Sequence, residues 1–426
     1  MTTTLPEATT CGDCGDYGLT RRSLLQKAAI AGAAGAVTSV FGDAVTQTVF
    51  GASTGRQPVL LLLSLRGGAD GLSMVVPHAE EAYNKTRPNL ALKASELIEA
   101  NQTFGLHPKF EALRPMWRSG KMAAIQAVGM QVPNRSHFEA MELIEDADPT
   151  SSARVGWINR MIGSLSGTDP FEGLHLSGNQ APTALYGPQP IVATNDLGAL
   201  DIPFGDDAWM RTRLQSGLTS MYGGSSSAAL GEAGGTALNV AKRARALGAS
   251  KESKPANGAV YSTDDLGRSL ARAAGVVRSG MGARAISIDY GSWDHHEGAP
   301  WRLSSMIENL AKNLAAFFTD LGADGDLVTV VTLSEFGRRL AQNGSYGLDH
   351  GYGNCVLALG AGVKGGYYGK MPSLGTAAKP ADDLLVTTDY RHVLGEVLAQ
   401  RFPDVSLPSV FPGAAYGEDK RVGFMV

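Results

Sequence analysis

Residues 58–71, PVLLLLSLRGGADG, join a continuous apolar run to an abrupt glycine-rich end. A run of this length without polar alternation is typical of a strand that is buried on both faces of a sheet. The glycines mark a tight loop directly after the strand. The stretch therefore predicts a central strand that carries a carboxylate, Asp70, just beyond its carboxyl end.

Four more apolar runs of this kind follow along the chain and are separated by segments with helical periodicity. They are MAAIQAV at 122–128, ARAISIDY at 283–290, DLVTVVTL at 326–333 and CVLALGAG at 355–362. The clearest helical segment covers 301–321, and another begins at Thr388. Strands that alternate with helices predict an α/β fold built on a largely parallel sheet.

The chain has 426 residues, which is enough for one large domain or two ordinary ones. We expect a single α/β domain over residues 56–426, because no clear linker divides this part of the chain. The stretch from about 150 to 260 mixes loops, short strands and a helix. We interpret it as a loop-rich insertion or cap on the same domain.

Residues 1–44 have the features of a twin-arginine export signal. A polar leader precedes Arg21 and Arg22, and AAIAGAAGAVTSV follows as an apolar run too short for a stable transmembrane anchor. The sequence thus predicts export by the twin-arginine machinery, cleavage near Ala44, and a mature protein in the periplasm, cell wall or medium. The alternative is an arginine pair at the start of an ordinary alanine-rich helix.

Charge and cysteine content exclude several classes of protein. A formal net charge of -4 and 18% charged residues do not favour nucleic acid as a partner. Cys355 is the only cysteine after the leader, so the mature chain has no disulfide framework. Cys11 and Cys14 form half of a zinc-binding pattern inside the leader, without a second cysteine pair.

Several candidate metal ligands lie at the predicted strand ends, where ligands bind in open α/β sheets. They are Asp70, Asp294, His296, Glu335, Asp349 and His350. Carboxylate and imidazole groups bind zinc, manganese, magnesium or calcium in proteins. We therefore predict a site for one or two divalent cations, with zinc as the first choice.

Some of these residues have structural alternatives. Asp70 lies between glycines and could cap a turn. His295 and His296 are adjacent, so at most one of them is expected to bind the metal. Asp349 could orient His350 without binding the metal itself. Arg338 could contact an anionic substrate or form a structural ion pair.

The segment PNRSHFEAMELIED at 133–146 adds a candidate nucleophile. Ser136 and His137 lie at the start of a predicted helix, where the positive helix end and free backbone N–H groups favour anions. Ser136 and Glu139 also have the spacing of a capping box. The segment is therefore interpreted either as part of an active site or as a helix cap.

The motifs RGGADG, NRSHFEAMELIE, SWDHHEG and TLSEFGRRLAQNGSYGLDHGYG together resemble the bacterial family called domain of unknown function 1501. That family in turn resembles the alkaline phosphatase and sulfatase superfamily, which implies a mixed, mostly parallel sheet between helices and a metal site at the strand ends. The resemblance implies Ser136 as nucleophile. It implies metal ligands at Asp70, Asp294, His296 and His350. Glu335 stands where the superfamily usually has an aspartate with a neighbouring histidine or asparagine.

These features predict an exported metal-dependent hydrolase that acts on a small anionic substrate, a phosphate or related ester. Ser136, His137 and Arg338 would be its catalytic residues. Sulfatase chemistry is disfavoured because no cysteine is placed for formylglycine formation. One alternative is a metal-free serine hydrolase, although the chain lacks the G-x-S-x-G motif. Another is a non-catalytic exported binding or scaffold protein that retains the fold.

Overall fold

The computed structural model describes residues 57–165, 169–200, 207–225, 227–246, 254–379 and 381–426. The predicted export signal lies outside these residues. Within them, the chain is an α/β protein whose strands form a mixed, largely parallel nine-stranded sheet and a small two-stranded sheet. This architecture confirms the predicted α/β class with a largely parallel sheet.

All five apolar runs form strands of the large sheet. The strands are β1 (Val59–Leu65), β2 (Val75–Val76), β3 (Gly105–Leu106), β4 (Met122–Gly129), β5 (Gly173–His175), β6 (Val192–Ala193), β7 (Ala285–Tyr290), β8 (Val328–Leu333), β9 (Asn354–Gly360), β10 (Gly366–Tyr368) and β11 (Thr388–Asp389). In the large sheet the order is β10-β4-β9-β8-β1-β7-β5-β6, and β11 also pairs with β4. Strands β2 and β3 pair with each other.

The direction of β9 determines where the candidate site lies. Strand β9 runs antiparallel to both of its neighbours, β4 and β8, whereas β1 runs parallel to β7 and β8. The start of β9 therefore lies at the same edge as the ends of β1, β7 and β8. For this reason the segment before β9 meets the loops that follow those three strands.

Helices alternate with the strands. They are α1 (Gly71–Met74), α2 (Glu81–Thr86), α3 (Arg114–Arg118), α4 (His137–Asp146), α5 (Trp157–Ser164), α6 (Ala208–Gly223), α7 (Ala228–Ala246), α8 (Asp265–Ser279), α9 (Ala299–Leu321), α10 (Tyr390–Arg401) and α11 (Leu407–Val410). Among the described residues, no helix combines the length and the apolar character needed to cross a bilayer.

The alternation of side chains along β1 divides the core into two layers. Leu61 and Leu63 face one layer, which also contains apolar side chains of α8 and α9. Leu60 and Leu62 face the other layer, which contains side chains of α5 and α10. Helices thus cover both faces of the sheet, which explains why β1 is apolar along its whole length.

Helix boundaries differ slightly from the predicted ones. Helix α9 begins at Ala299, close to the predicted start. Helix α10 begins at Tyr390 and not at Thr388, because Thr388 and Asp389 pair with β4 as strand β11. Asp389 then accepts a hydrogen bond from the Arg391 amide and caps the helix.

The first part of the predicted insertion at about 150–260 belongs to the main sheet. Strand β5 pairs with β7, and β6 pairs with β5 at the edge of the sheet. Helices α6 and α7 follow these strands. Strands of two or three residues carry too little hydrophobic pattern to be distinguished from loops in the sequence.

Candidate metal centre

Three imidazole rings and one carboxylate converge where β1, β7 and β8 end. Among the described residues, ligand atoms of His137, Asp294 and His350 all lie within 4.8 Å of one another. His296 joins them, since its Nε2 is 3.1 Å from Asp294 Oδ1 and 2.9 Å from His350 Nε2. We call these four residues the histidine cluster. They come from three separate segments of the chain.

An acceptor on another segment holds the Nδ1 atom of each ring. The contacts are His137 to Glu335 Oε1 at 2.8 Å, His296 to Asp349 Oδ1 at 3.0 Å and His350 to the Arg135 carbonyl at 2.9 Å. Because each partner accepts a hydrogen bond, each Nδ1 carries the proton. In the neutral rings the three Nε2 atoms therefore present lone pairs to the cluster.

These lone pairs point toward one another and toward Asp294. Nε2 of His296 and Nε2 of His350, 2.9 Å apart, cannot hydrogen-bond to each other when both rings are neutral. Nε2 of His137 lies 3.4 Å from Asp294 Oδ2, is buried and lacks a hydrogen-bond partner. When four ligand atoms surround a zinc ion tetrahedrally at metal–ligand distances of about 2.0 Å, any two of these atoms lie about 3.3 Å apart. The cluster therefore fits a divalent cation.

The protonation states also suit a cation. Burial by itself raises the pKa of Asp294, but the hydrogen bond and the charge of Arg338 bring this pKa down to about 2. Burial lowers the pKa of His350. At neutral pH the carboxylate is thus ionised and the His350 ring is neutral, as metal binding requires.

Glu335 is predicted as a metal ligand, but the structure places it behind His137. Its Oε1 accepts hydrogen bonds from His137 Nδ1 and from the Gly67 amide, both at 2.8 Å. Its Oε2 accepts from Ser334 Oγ at 3.1 Å. With both oxygens occupied by donors, Glu335 orients His137 and does not face the centre of the cluster.

Asp349 is also an orienting residue. It accepts hydrogen bonds at 3.0 Å from Asn343 Nδ2 and from His296 Nδ1. The hydrogen bond from Asn343, followed by that from His296, lowers the pKa of Asp349. The geometry thus supports Asp349 as a residue that orients a histidine and not as a metal ligand. The ring that it orients is His296 and not His350.

Asp70, the third predicted carboxylate ligand, lies outside the cluster. Arg87 donates from Nη1 to Asp70 Oδ2 at 2.5 Å and from Nη2 to Oδ1 at 3.0 Å, and both side chains are buried. Asp70 Oδ2 also accepts from the Ser73 amide at 3.1 Å and caps α1. Its two oxygens bind a buried guanidinium, so the structure places Asp70 in a structural ion pair and does not bring it to the cluster.

Arg338 is predicted to contact an anionic substrate, but its guanidinium is buried and bonded mainly to backbone carbonyls. It donates to the carbonyls of Gly68 at 2.6 Å and Leu348 at 2.8 Å, and also to the carbonyl of Gly67. A further bond of 2.7 Å reaches Asp294 Oδ1. Arg338 therefore positions Asp294, and its side chain is too deeply buried to face a substrate.

Ser136 lies at the exposed start of α4, next to His137. Its hydroxyl makes no hydrogen bond to the first helical turn, so the predicted capping box does not form. His137 is not its partner either, because the two ring nitrogens of His137 face Glu335 and Asp294. A serine–histidine pair at Ser136 is therefore not formed.

The two glycines after β1 are required by close packing. Gly67 has a φ of 110°, and a Cβ there would lie 2.7 Å from the Asp294 amide nitrogen. Gly68 has a φ of 65°, and its Cβ would lie 2.5 Å from the ring of Phe336. Phe336 packs against the rings of His137 and His350. A side chain at either glycine would displace the groups that support the cluster.

Of the two adjacent histidines, only His296 joins the cluster. His295 is buried, and burial lowers its pKa to about 4.

Sequence reasoning did not identify Asn343 or Phe336 as parts of the site. Asn343 follows two arginines in a polar loop, and Phe336 is a single aromatic residue after Glu335. Neither residue therefore belongs to a sequence pattern that indicates a functional site.

Comparison with known families gives one match. A family model described as "Protein of unknown function (DUF1501)" matches residues 205–396, which supports the family resemblance over that segment. The segment includes Asp294, His296 and His350, while His137 lies before it. A search of curated proteins finds no match to the chain.

Proposed function

We propose that the protein is an exported metal-dependent hydrolase of phosphate or related esters with an alkaline-phosphatase-like fold. The observation that carries the proposal is the convergence of three Nε2 lone pairs on the carboxylate of Asp294. Zinc is the first choice for this set of imidazole and carboxylate ligands, and manganese, magnesium or calcium are alternatives.

The exposure of the cluster favours catalysis over a purely structural metal. The side chains of Asp294 and His296 are 43% and 45% exposed. Structural metal sites are usually closed by protein ligands, whereas catalytic sites keep a position open for substrate. An open cluster at the end of a rigid sheet is therefore better suited to an enzyme than to a scaffold.

The same contacts support a single ion. Arg87 occupies both oxygens of Asp70, and Arg338 neutralises part of the charge of Asp294. Glu335 is held by His137 and by backbone and hydroxyl donors. Asp70 and Glu335, two of the predicted carboxylate ligands, are thus already paired and do not face a second ion.

The residues around the cluster suit ester hydrolysis. A bound divalent cation would supply Lewis acidity at a phosphoryl oxygen and favour the deprotonated form of a nucleophile. Ser136 would act as the nucleophile, since it precedes His137 in the sequence and lies at the positive end of α4. Arg338 contributes by fixing Asp294 and not by binding the substrate.

The test uses the mature protein, purified after expression with added zinc or manganese. Metal content is measured first, followed by hydrolysis of phosphate monoesters, phosphate diesters and sulfate esters. We expect about one ion per chain and a loss of at least about 100-fold in kcat for Ser136→Ala. Ser220→Ala, at an exposed serine on α6, is the matched control.

Two results would overturn the proposal. Protein that contains no metal after supplementation would exclude a metal-dependent enzyme. Metal-loaded protein that is inert toward the whole ester panel would favour the non-catalytic binding or scaffold alternative.

A further inference from the structure

Most exposed aromatic side chains of the described residues lie on the segments that form the histidine cluster. Exposed fractions are 88% for Phe138, 63% for Trp209, 69% for Trp301 and 52% for Tyr346. Phe138 directly follows His137, Trp301 follows His296 at the start of α9, and Tyr346 precedes His350. Trp209, on α6, is the exception. Exposed apolar groups gathered around a polar site often mark the place where a ligand binds.

Trp301 and Tyr346 form a pair. Their ring centroids are 6.3 Å apart and their planes are inclined by 58°. The backbone joins the two segments, since the Ala299 amide donates to the Tyr346 carbonyl at 2.8 Å and the Gly298 amide donates to the Ser345 carbonyl at 3.2 Å. The loop that carries Tyr346 is therefore fixed to the first turn of the helix that carries Trp301.

Asn343 connects this loop to the cluster. Its amide donates to the His296 carbonyl at 2.9 Å and to Asp349 at 3.0 Å. Its side-chain oxygen accepts from the amides of Ser345 and Gly347. One side chain thus holds both the loop of Tyr346 and the partners of His296, so the aromatic pair is ordered before a ligand arrives. A preorganised surface loses little entropy on binding.

We propose that Trp301 and Tyr346 form a platform that binds a sugar ring of a polysaccharide, so that the metal site acts on carbohydrate esters. This inference rests on the proposed function and names its substrate class. One face of a pyranose ring is lined by C–H groups that pack against aromatic rings, while its hydroxyl groups need polar partners.

Polar partners are present around the pair. Glu297 and Arg302 form an exposed ion pair with an N–O distance of 3.6 Å, and Ser345 is exposed next to Tyr346. A lipid chain would require a continuous apolar surface, which these charged and hydroxyl groups interrupt. The mixed surface therefore favours a carbohydrate over a membrane.

The test measures binding separately from hydrolysis. The mature protein, as purified, is run in native gels that contain dextran, xylan or galactan, which carry no phosphate or sulfate ester to hydrolyse. We expect at least one polysaccharide to retard the protein. Trp301→Ala and Tyr346→Ala should each weaken this binding about tenfold, because each removes a stacking ring. Trp209→Ala, at the exposed tryptophan on α6, should bind like the wild type.

The outcomes separate this inference from the proposed function. Absence of retardation by all three polysaccharides, or equal binding by Trp301→Ala and the wild type, overturns the platform even when p-nitrophenyl phosphate is hydrolysed. Binding that is lost in Trp301→Ala, with no hydrolysis of any ester by the wild type, supports the platform and overturns the hydrolase. Binding to phosphatidylcholine vesicles in place of the polysaccharides would assign the aromatic pair to a membrane surface, and the platform would fail.

Discussion

His137 donates its Nδ1 proton to Glu335 across 2.8 Å, although the two residues are 198 positions apart in the sequence. Glu335 lies two residues after the end of the buried strand β8, and His137 begins a helix, so the hydrogen bond connects the edge of the sheet to a ring of the cluster. Such a carboxylate fixes the tautomer of the ring and keeps its Nε2 lone pair directed at the centre of the cluster. Glu335 thereby orients His137 without itself facing the centre of the cluster.

Glu335→Gln should weaken metal binding without unfolding the protein. The amide has nearly the same shape but removes the negative charge that holds His137, so we expect metal affinity to fall about 10- to 100-fold. Competition with a chromophoric chelator measures this change. Glu139→Gln, an exposed residue on the same helix, is the control and should not change the affinity. Equal affinities for Glu335→Gln and the wild type would show that the carboxylate does not act through His137.

His296→Ala should lose most of the bound metal, whereas His295→Asn should retain it. The two residues are adjacent, but only the His296 ring reaches Asp294 and His350. Elemental analysis of the purified variants gives the number of ions per chain, and circular dichroism verifies that they are folded. Metal loss in His295→Asn with full retention in His296→Ala would reverse the assignment.

Asp70→Asn should destabilise the fold and leave the number of bound ions unchanged. The substitution leaves the buried charge of Arg87 without its partner, and breaking a buried pair in this way costs about 3 to 5 kcal/mol. Urea unfolding measures the loss of stability. Asp265→Asn, which removes an exposed pair with Arg268, should cost less than about 1 kcal/mol. Loss of metal from folded Asp70→Asn would restore Asp70 as a ligand.

The sequence was sufficient to predict the five longest strands of the sheet, because each is a short apolar run with clear ends. It also indicated that Asp294, His296 and His350 belong to one site, since all three lie beside predicted strand ends. Their approach depends on the antiparallel direction of β9, which brings the segment before that strand to the required edge. The direction of a strand is not visible in a hydrophobic run.

The roles of the carboxylates were harder to predict. Asp70, Asp294 and Glu335 all follow buried strands, and their positions in the sequence are equivalent. What distinguishes them is the partner of each carboxylate: Arg87 for Asp70, His137 for Glu335, and the lone pairs of the cluster for Asp294. These partners come from distant segments, so packing decides which carboxylate faces the histidine cluster.

Away from the cluster, Glu172 should make the stability of the fold depend on pH. Its Oε2 is buried without a hydrogen-bond partner. Burial, followed by the charge of Asp169, raises the pKa of Glu172 to about 7, compared with about 4.3 in an unfolded chain. Between these values the folded state binds more protons than the unfolded state. The free energy of unfolding therefore decreases as pH rises from about 4.3 to about 7.

Glu172→Gln removes this proton uptake. After allowance for solvent screening, we expect the variant to be more stable than the wild type by about 1 kcal/mol at pH 8, with a much smaller difference at pH 4. Urea unfolding at the two pH values measures the change, and Glu232→Gln, at an exposed position on α7, should show no such pH dependence. If Glu172→Gln and the wild type differed in stability by the same amount at pH 4 and pH 8, Glu172 would not change its protonation on folding. Only a raised pKa of Glu172 in the folded state makes the stability gain from the amide increase with pH.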